Sequence, residues 1–213
     1  MSLESEITIV SGLPRSGTSL MMQMLHCGGM TVVTDGIRAD DVDNPRGYLE
    51  WERAKQIKTD VSWLADTRGK VFKMVSQLLY DLPRNERYAI IFMERDLDEV
   101  LLSQEKMLAR SGRPAPPRDS LKRAYKLHLS RLHAWLQRQV QMRVLPVSYH
   151  ELIGQPAQDA ARIREFLGRP LDVEQMCSAV DTGLYRNRNE AADRLRPTVE
   201  DLSGSEDRIS KGG

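Results

Sequence analysis

The chain has 213 residues and a mass of 24.3 kDa, which is enough for one α/β domain with a sizeable core. Its formal net charge is +1 and its pI is near 7.8, so the overall composition indicates no nucleic-acid partner. No apolar run approaches the roughly 20 residues of a membrane span, and the N-terminus has no secretory pattern. Cys27 and Cys177 lack a metal-binding or CxxC spacing. We therefore expect no transmembrane segment and a cytoplasmic protein with reduced thiols.

The chain opens with a predicted strand–loop–helix unit. Residues 7–10 are mostly apolar and β-branched, as in a short buried strand, and from Thr18 onward apolar residues recur at helical spacing. Turn-forming residues separate the two elements: Gly12, Pro14, Ser16 and Gly17. Such a unit directs backbone N–H groups and the positive end of a helix at one point, which favours a phosphate or sulfate ligand. The alternative is an ordinary Gly-Pro turn with an exposed arginine.

The loop resembles the Walker A pattern GxxxxGK[ST] but departs from it at the cation. Gly12 and Gly17 have the required spacing and Ser19 stands at the hydroxyl position, yet Thr18 replaces the lysine. Nucleotide triphosphatases use that lysine on the β- and γ-phosphates, together with magnesium. Here the cation is Arg15, whose planar fork suits a tetrahedral oxyanion without requiring a metal.

The segment after the first helix contains candidates for a general base. A short strand is predicted over residues 30–34, and an acidic, turn-rich stretch follows it. We expect this stretch to cross the carboxyl edge of the sheet, where ligands bind in open α/β folds. Asp35 and Glu50 stand out because each adjoins an apolar segment that would bury the carboxyl group and shift its pKa. For most acidic residues in the stretch, a solvated loop is the better interpretation.

The next elements are a helix and a strand. Apolar residues over 49–64 predict an amphipathic helix. Residues 69–75 then predict a strand, with Lys73 near its end. A lysine at this position is either a ligand contact or an edge charge, and the sequence leaves both open.

The clearest strand is the unbroken apolar run over residues 88–93, which suits a fully covered parallel sheet. Arg95 follows its carboxyl end and precedes a predicted helix over 97–110. Ser103 lies on the flank of that helix's apolar stripe, so its hydroxyl can face a neighbouring element. An Arg-Asp turn with an incidental serine is the alternative.

The following segment is a Pro/Gly-rich loop over 111–118, either a mobile lid or a connector. A helix is predicted from about residue 120 to 139, with Asp119 or Ser120 as its cap. Its basic residues indicate a solvated face.

Three segments together resemble the PAPS-dependent sulfotransferases, where PAPS is 3′-phosphoadenosine 5′-phosphosulfate. The Pro-Arg-Ser-Gly form of the first loop is similar to that of tyrosylprotein and many bacterial sulfotransferases. The matches span about residues 7–170. The matching segments are Gly12-Leu-Pro-Arg-Ser-Gly-Thr-Ser19, Arg95 with Ser103, and the strand 143–149 that leads into His150-Glu-Leu-Ile-Gly-Gln-Pro-Ala and a helix ending in Phe166-Leu167-Gly168.

The resemblance implies an α/β, three-layer P-loop-like fold with a central parallel β-sheet flanked by helices. It implies one domain over residues 1–188, with PAPS as sulfate donor and no metal. Charged residues, Gly and Ser dominate residues 189–213, so we expect a flexible tail there. The first loop would hold the 5′-phosphosulfate and the later arginine and serine the 3′-phosphate, over which Arg186 and Arg188 would close. The implied nucleotide-binding residues are Pro14, Arg15, Ser16, Gly17, Thr18, Ser19, Arg95 and Ser103.

The resemblance also identifies a missing group. Cytosolic members carry a catalytic histidine two residues after a strand lysine. Lys73 matches the lysine, but Val75 stands at the histidine position. Tyrosylprotein relatives use a glutamate that falls near Asp35. Asp35 and Glu50 therefore both remain candidates for the base, while Arg15 and Lys73 would neutralise the leaving phosphate.

We expect transfer of a sulfuryl group from PAPS to a hydroxyl or amine. The acceptor is unknown and could be a carbohydrate, lipid, peptide or small metabolite, and the oligomeric state is unknown. A P-loop small-molecule kinase is one alternative, although it needs the lysine that Thr18 displaces and magnesium ligands. A non-catalytic nucleotide-binding module is the other, and it would bind the product nucleotide PAP without acceptor-dependent sulfate release.

Overall fold

A four-stranded parallel sheet forms the centre of the computed structural model, which describes residues 5–37, 47–181 and 183. The spatial order is β2-β1-β3-β4. The strands are β1 (Ile7–Gly12), β2 (Val71–Val75), β3 (Tyr88–Glu94) and β4 (Met142–Ser148). The central strands β1 and β3 are almost entirely buried, because both faces of a parallel sheet are covered and each strand is an almost continuous apolar run.

Helices and short 3₁₀ segments connect the strands. The helices are α1 (Thr18–Cys27), α2 (Leu97–Arg110), α3 (Arg118–Leu136), α4 (Tyr149–Gly154), α5 (Pro156–Leu167) and α6 (Val173–Ser178). The 3₁₀ segments are Glu52–Gln56, Leu64–Thr67 and Ser76–Asp81. No helix within these described ranges is long and apolar enough to cross a membrane.

Each face of the sheet has its own core. On one face, Val10 and Ile91 pack with apolar residues of α1, α4, α5 and α6. On the other, Ile9 and Phe92 pack with the first two 3₁₀ segments and the end of α3. This arrangement confirms the predicted α/β fold with a parallel sheet between two helical layers. The predicted helix over 97–110 has those bounds.

Two predictions for the segment before β2 are wrong, namely a strand over 30–34 and a helix over 49–64. The proposed strand over 30–34 is reduced to an isolated bridge between Val32 and Val71. Residues 49–64 form no α-helix, and local contacts replace it. Asp60 Oδ1 accepts hydrogen bonds from the Ser62 N–H (2.9 Å) and hydroxyl (2.6 Å), which compete with helical bonding.

Aromatic packing is the second reason why residues 49–64 do not form the predicted helix. Trp51 and Trp63 meet edge to face with ring centroids 4.7 Å apart, and both contact Phe72 of β2. The segment therefore follows the sheet surface rather than a helical axis.

The cap predicted for α3 is also wrong, because the residue at its N-cap is Pro117. Arg186, Arg188 and the tail 189–213 lie outside the described residues.

Candidate functional site

A cavity of about 850 Å³ lies at the carboxyl edge of the sheet. Parallel pairing brings the strand ends together there, since Gly12 of β1 is paired with Val75 of β2 and Met93 of β3. Its lining also includes the loop between β1 and α1, the start of α1, parts of the segment 48–55, one side of α2 with the loop after it, Tyr149 and Asp181. This is the edge at which open α/β folds bind ligands.

The sharp turn of the first loop depends on two glycines. Gly12 has a φ of 150°, and an added Cβ would lie 2.5 Å from Ser16 Oγ. Gly17 has a φ of 101°, and an added Cβ would lie 2.3 Å from Cδ2 of Tyr149. Arg15 between them has a positive φ of 72°, an uncommon conformation for a residue with a side chain. Steric contacts and positive φ angles within the fold therefore require glycine at both positions, whatever ligand the loop binds.

The start of α1 presents backbone donors to the cavity. Its N-cap, Gly17, provides no side-chain cap, and no acidic residue stands in the first turn. Thr18 and Ser19 line the cavity directly after it. Uncapped N–H groups together with the helix dipole make this a position that favours an anion.

The structure brings Arg15, Arg95 and Ser103 together. Nε of Arg15 donates to Oγ of Ser103 at 2.9 Å, and Nη1 of Arg95 donates to the backbone oxygen of Arg15 at 3.2 Å. All three line the same cavity. The two guanidinium groups predicted to bind one nucleotide therefore lie at one site rather than on separate faces.

Arg95 is held by two further contacts. Its Nε donates to Oε2 of Glu99 at 2.9 Å, in a pair whose side chains are 8% and 7% exposed. Its guanidinium lies 4.4 Å from the ring centroid of Tyr149, close enough for a cation–π contact. Burial raises the pKa of the Tyr149 hydroxyl, so this ring stays neutral. Tyr149 falls within the third matching segment, but its role could not be predicted from the sequence, because it depends on contacts with Arg95 and Gly17.

Lys73 connects the first loop to one of the two candidate carboxylates. Its Nζ donates to Oγ of Ser19 at 3.2 Å and to the backbone oxygen of Tyr48 at 2.5 Å, and lies 3.5 Å from Oε1 of Glu50. The side chain is only 10% exposed. Lys73 is thus part of the cavity wall, which favours a ligand contact over an edge charge.

Asp35 and Glu50 occupy different environments. Asp35 is exposed and accepts the backbone N–H groups of Glu52 (2.6 Å) and Ile37 (3.1 Å). These bonds, that from Glu52 first, hold the pKa of Asp35 below its usual value. Among the described residues lining the cavity, Glu50 is present and Asp35 is not.

Position 75, where cytosolic sulfotransferases carry a catalytic histidine, is at the cavity in this fold. Val75 lines the cavity, and no described histidine does. His128 lies on α3, where its Nε2 is 2.9 Å from the hydroxyl of buried Ser76. Burial, followed by the charge of His133, lowers the pKa of His128. Gln104 of α2 also lines the cavity, and no motif in the sequence identifies it as a site residue.

Comparison with known proteins gives a family match. A family model described as the sulfotransferase domain matches residues 5–190. The chain is similar to the solved "Sulfotransferase Domain from the Curacin Biosynthetic Pathway", at 13% identity and a TM-score of 0.49, over 83% of this chain and 78% of that one. It is also similar to retinol dehydratase in complex with androsterone and inactive cofactor PAP, at 15% identity and a TM-score of 0.42, over 84% of this chain and 65% of that one. Comparison with curated proteins finds no match.

Proposed function

The chain belongs to the sulfotransferase domain family, and from this premise we propose that its cavity binds PAPS between Arg15 and Arg95 and transfers the sulfuryl group to an acceptor hydroxyl or amine. The observation that carries the proposal is the junction of Arg15, Arg95 and Ser103 in one cavity, with Arg15 and Ser103 joined by a 2.9 Å hydrogen bond. The Pro-Arg-Ser-Gly form of the first loop supports a further proposal, that the chain belongs to the bacterial and tyrosylprotein-like branch.

The two phosphate ends of PAPS would occupy neighbouring parts of this junction. The N–H groups at the start of α1 and the Arg15 guanidinium suit the 5′-phosphosulfate. Arg95 and Ser103 suit the 3′-phosphate. Because the Ser103 hydroxyl accepts from Arg15, its own O–H can donate to a phosphate oxygen. The buried pair with Glu99 fixes the Arg95 side chain before the ligand arrives.

The reaction is an in-line displacement at sulfur. The bond between sulfur and the 5′-phosphate oxygen breaks as the acceptor oxygen or nitrogen bonds to sulfur. Arg15 and Lys73 neutralise the charge that develops on the leaving phosphate, in a site where donors are already positioned. The acceptor proton goes to a carboxylate.

We assign that proton transfer to Glu50. Its carboxylate lines the cavity 3.5 Å from Lys73, which itself contacts Ser19 in the first turn of α1. Asp35 does not line the cavity, and both of its oxygens accept backbone hydrogen bonds, which lower the pKa of its carboxyl group. Lys73 thus has two proposed roles. It places a positive charge near the leaving 5′-phosphate, and it pairs with Glu50, the proposed base.

The test is PAP formation from PAPS in the presence of mixed alcohol, phenol and amine acceptors. Arg15→Ala should reduce turnover by about 10²–10³-fold, the usual cost of removing one transition-state donor. Arg123→Ala is the control, since Arg123 lies exposed on α3 outside the cavity lining. An unchanged rate in Arg15→Ala would contradict the assigned role, and a wild-type protein inert towards every acceptor would contradict the enzymatic proposal.

A further inference from the structure

The cavity has two unlike walls. The wall on the β2 side contains an apolar patch beside Glu50, whose carboxylate pairs with Lys55 and Lys73. The patch consists of Trp51, Ala54, Met74, Val75 and Leu78. Since β1 lies between β2 and β3, this wall is separated from the chain that follows β3 by two strand spacings, or about 10 Å. The opposite wall is one face of α2 and the start of the loop after it.

The α2 wall is cationic at the end remote from the proposed 3′-phosphate site. Ser103, Met107 and Arg110 recur at helical spacing and line the cavity from one helix face. A rise of about 1.5 Å per residue places Arg110 about 10 Å along the axis from Ser103. Arg113 follows in the loop, and its N–H donates at 2.9 Å to a backbone oxygen in the last turns of α2, which turns the loop back towards the cavity.

Gln104 adds a further donor to this wall. Its Oε1 accepts a hydrogen bond from the hydroxyl of Tyr125 at 2.9 Å, and Tyr125 is only 8% exposed. The amide nitrogen of this lining residue carries two further N–H donors. Asp181 is the one acidic residue besides Glu50 among the described lining residues, and its Oδ1 accepts the Gly183 N–H at 2.9 Å. The α2 wall therefore favours ligand groups that accept hydrogen bonds and carry negative charge.

We propose that the acceptor substrate has an apolar body and an anionic group of its own, bound by Arg110 and Arg113. This inference depends on the proposed function, because it assigns to the acceptor the part of the cavity that PAPS leaves. The apolar body would lie along Trp51 and Val75, and the reacting hydroxyl or amine would lie at Glu50. A cavity of about 850 Å³ is near the upper end of the roughly 300–1,000 Å³ typical of ligand sites, in keeping with two substrates.

A matched pair of acceptor probes tests the charge requirement. The protein is saturated with PAP and titrated calorimetrically with ω-hydroxydodecanoate or with its methyl ester, which keeps the apolar chain and removes the charge. Because hydrogen bonds between charged partners are strong, the acid should bind at least about 10-fold more tightly than the ester. The double variant Arg110→Gln/Arg113→Gln should lose this preference and retain its affinity for PAP. Arg123→Gln/Arg131→Gln, which removes two charges outside the cavity lining, should keep it.

Several results would overturn the inference. These are equal binding of acid and ester, no binding of the acid at millimolar concentration, or an unchanged preference in the Arg110→Gln/Arg113→Gln variant. If that variant loses affinity for PAP instead, the two arginines belong to the nucleotide site, and the proposed function survives without this inference. If the wild-type protein does not bind PAP, the proposed function and the inference fail together.

Discussion

Two carboxylates that the sequence leaves equivalent are used differently by the fold. The Asp35 oxygens accept the N–H groups of Glu52 and Ile37, so this residue stabilises a turn. Glu50 lies in the cavity wall beside Lys73, where its oxygens can reach a bound acceptor. Position relative to the cavity, rather than residue type, separates the candidate base from a structural acid.

Glu50→Gln should therefore lower kcat by about 10²–10⁴-fold, the usual contribution of general base catalysis, with little change in PAP affinity. Asp35→Asn is the matched control and should leave kcat within a few-fold of the wild-type value. Steady-state kinetics with PAPS and an accepted alcohol provide the measurement. If Asp35→Asn carries the large loss and Glu50→Gln does not, our assignment of the base is wrong.

The proposed nucleotide-binding residues could be predicted from sequence more readily than the proposed base. Gly12 to Ser19 form a local motif in which spacing alone fixes the order of strand, loop and helix. Arg95 and Ser103 are tied to the end of a strong apolar strand and to one helix face. Glu50 belongs to an irregular segment whose path depends on tertiary contacts, such as the 2.8 Å hydrogen bond from the Thr34 hydroxyl to its backbone oxygen. The path of this segment could not be predicted from the sequence, because no periodic pattern of apolar residues corresponds to it.

At the scale of elements, one close approach joins the first loop to α4. The Tyr149 ring fills the space over Gly17 and also lies beneath the Arg95 guanidinium. Any shift of the ring would therefore move the Arg95 guanidinium, which we propose binds the 3′-phosphate. Packing between α1 and α4 thus determines the geometry of the site.

Gly17→Ala should destabilise the protein by about 1–3 kcal/mol more than Gly29→Ala. Both glycines have positive φ, 101° and 94°, so the strain of that conformation is common to the two variants. Only Gly17 would place its new Cβ against Tyr149, since nothing lies within 4 Å of the Gly29 position. Urea unfolding measures the difference, and equal losses in the two variants would show that the tyrosine contact is unimportant.

A second link between elements depends on pH. Asp98 in the first turn of α2 pairs with Lys122 (2.6 Å) and Arg118 (3.4 Å) of α3. The hydrogen bond from Lys122 is the main cause that lowers the pKa of Asp98 below 3.8. A lowered folded-state pKa stabilises the protein above the unfolded value, and this contribution is lost as the pH falls through the folded-state value.

Asp98→Asn should therefore be less stable than the wild type at pH 7, and the difference should shrink as the pH falls below 3.8. Urea titrations of both proteins at a series of pH values provide the comparison. Other carboxylates titrate in both proteins and cancel in the difference. A gap that widens on acidification would contradict the pairing.

Helices and strands with a clear apolar period were predictable, and the segment between them was not. Residues 88–93 and 97–110 have bounds close to those predicted, because burial on two faces or on one stripe produces a regular pattern. In residues 49–64 the apolar side chains include Trp51 and Trp63, which pack edge to face on Phe72. Their spacing imitates a helix although sheet contacts fix their positions.

At the scale of the whole molecule, the ends of β1, β2 and β3 converge on one cavity. They supply the first loop, Lys73 and Arg95 respectively, which lie far apart in the chain. Only the parallel topology brings these charges together. The arrangement predicts that one ligand carrying two separated phosphate groups stabilises the entire domain.

Thermal unfolding with PAP tests this central claim most directly. A ligand at about 100 times its dissociation constant adds about 2.7 kcal/mol, which for a chain of this size raises Tm by about 5–10 °C. We predict this shift for PAP with the wild-type protein, a much smaller one with Arg15→Ala, and none with ATP and magnesium. No shift with PAP, or a larger one with ATP and magnesium, would contradict the account.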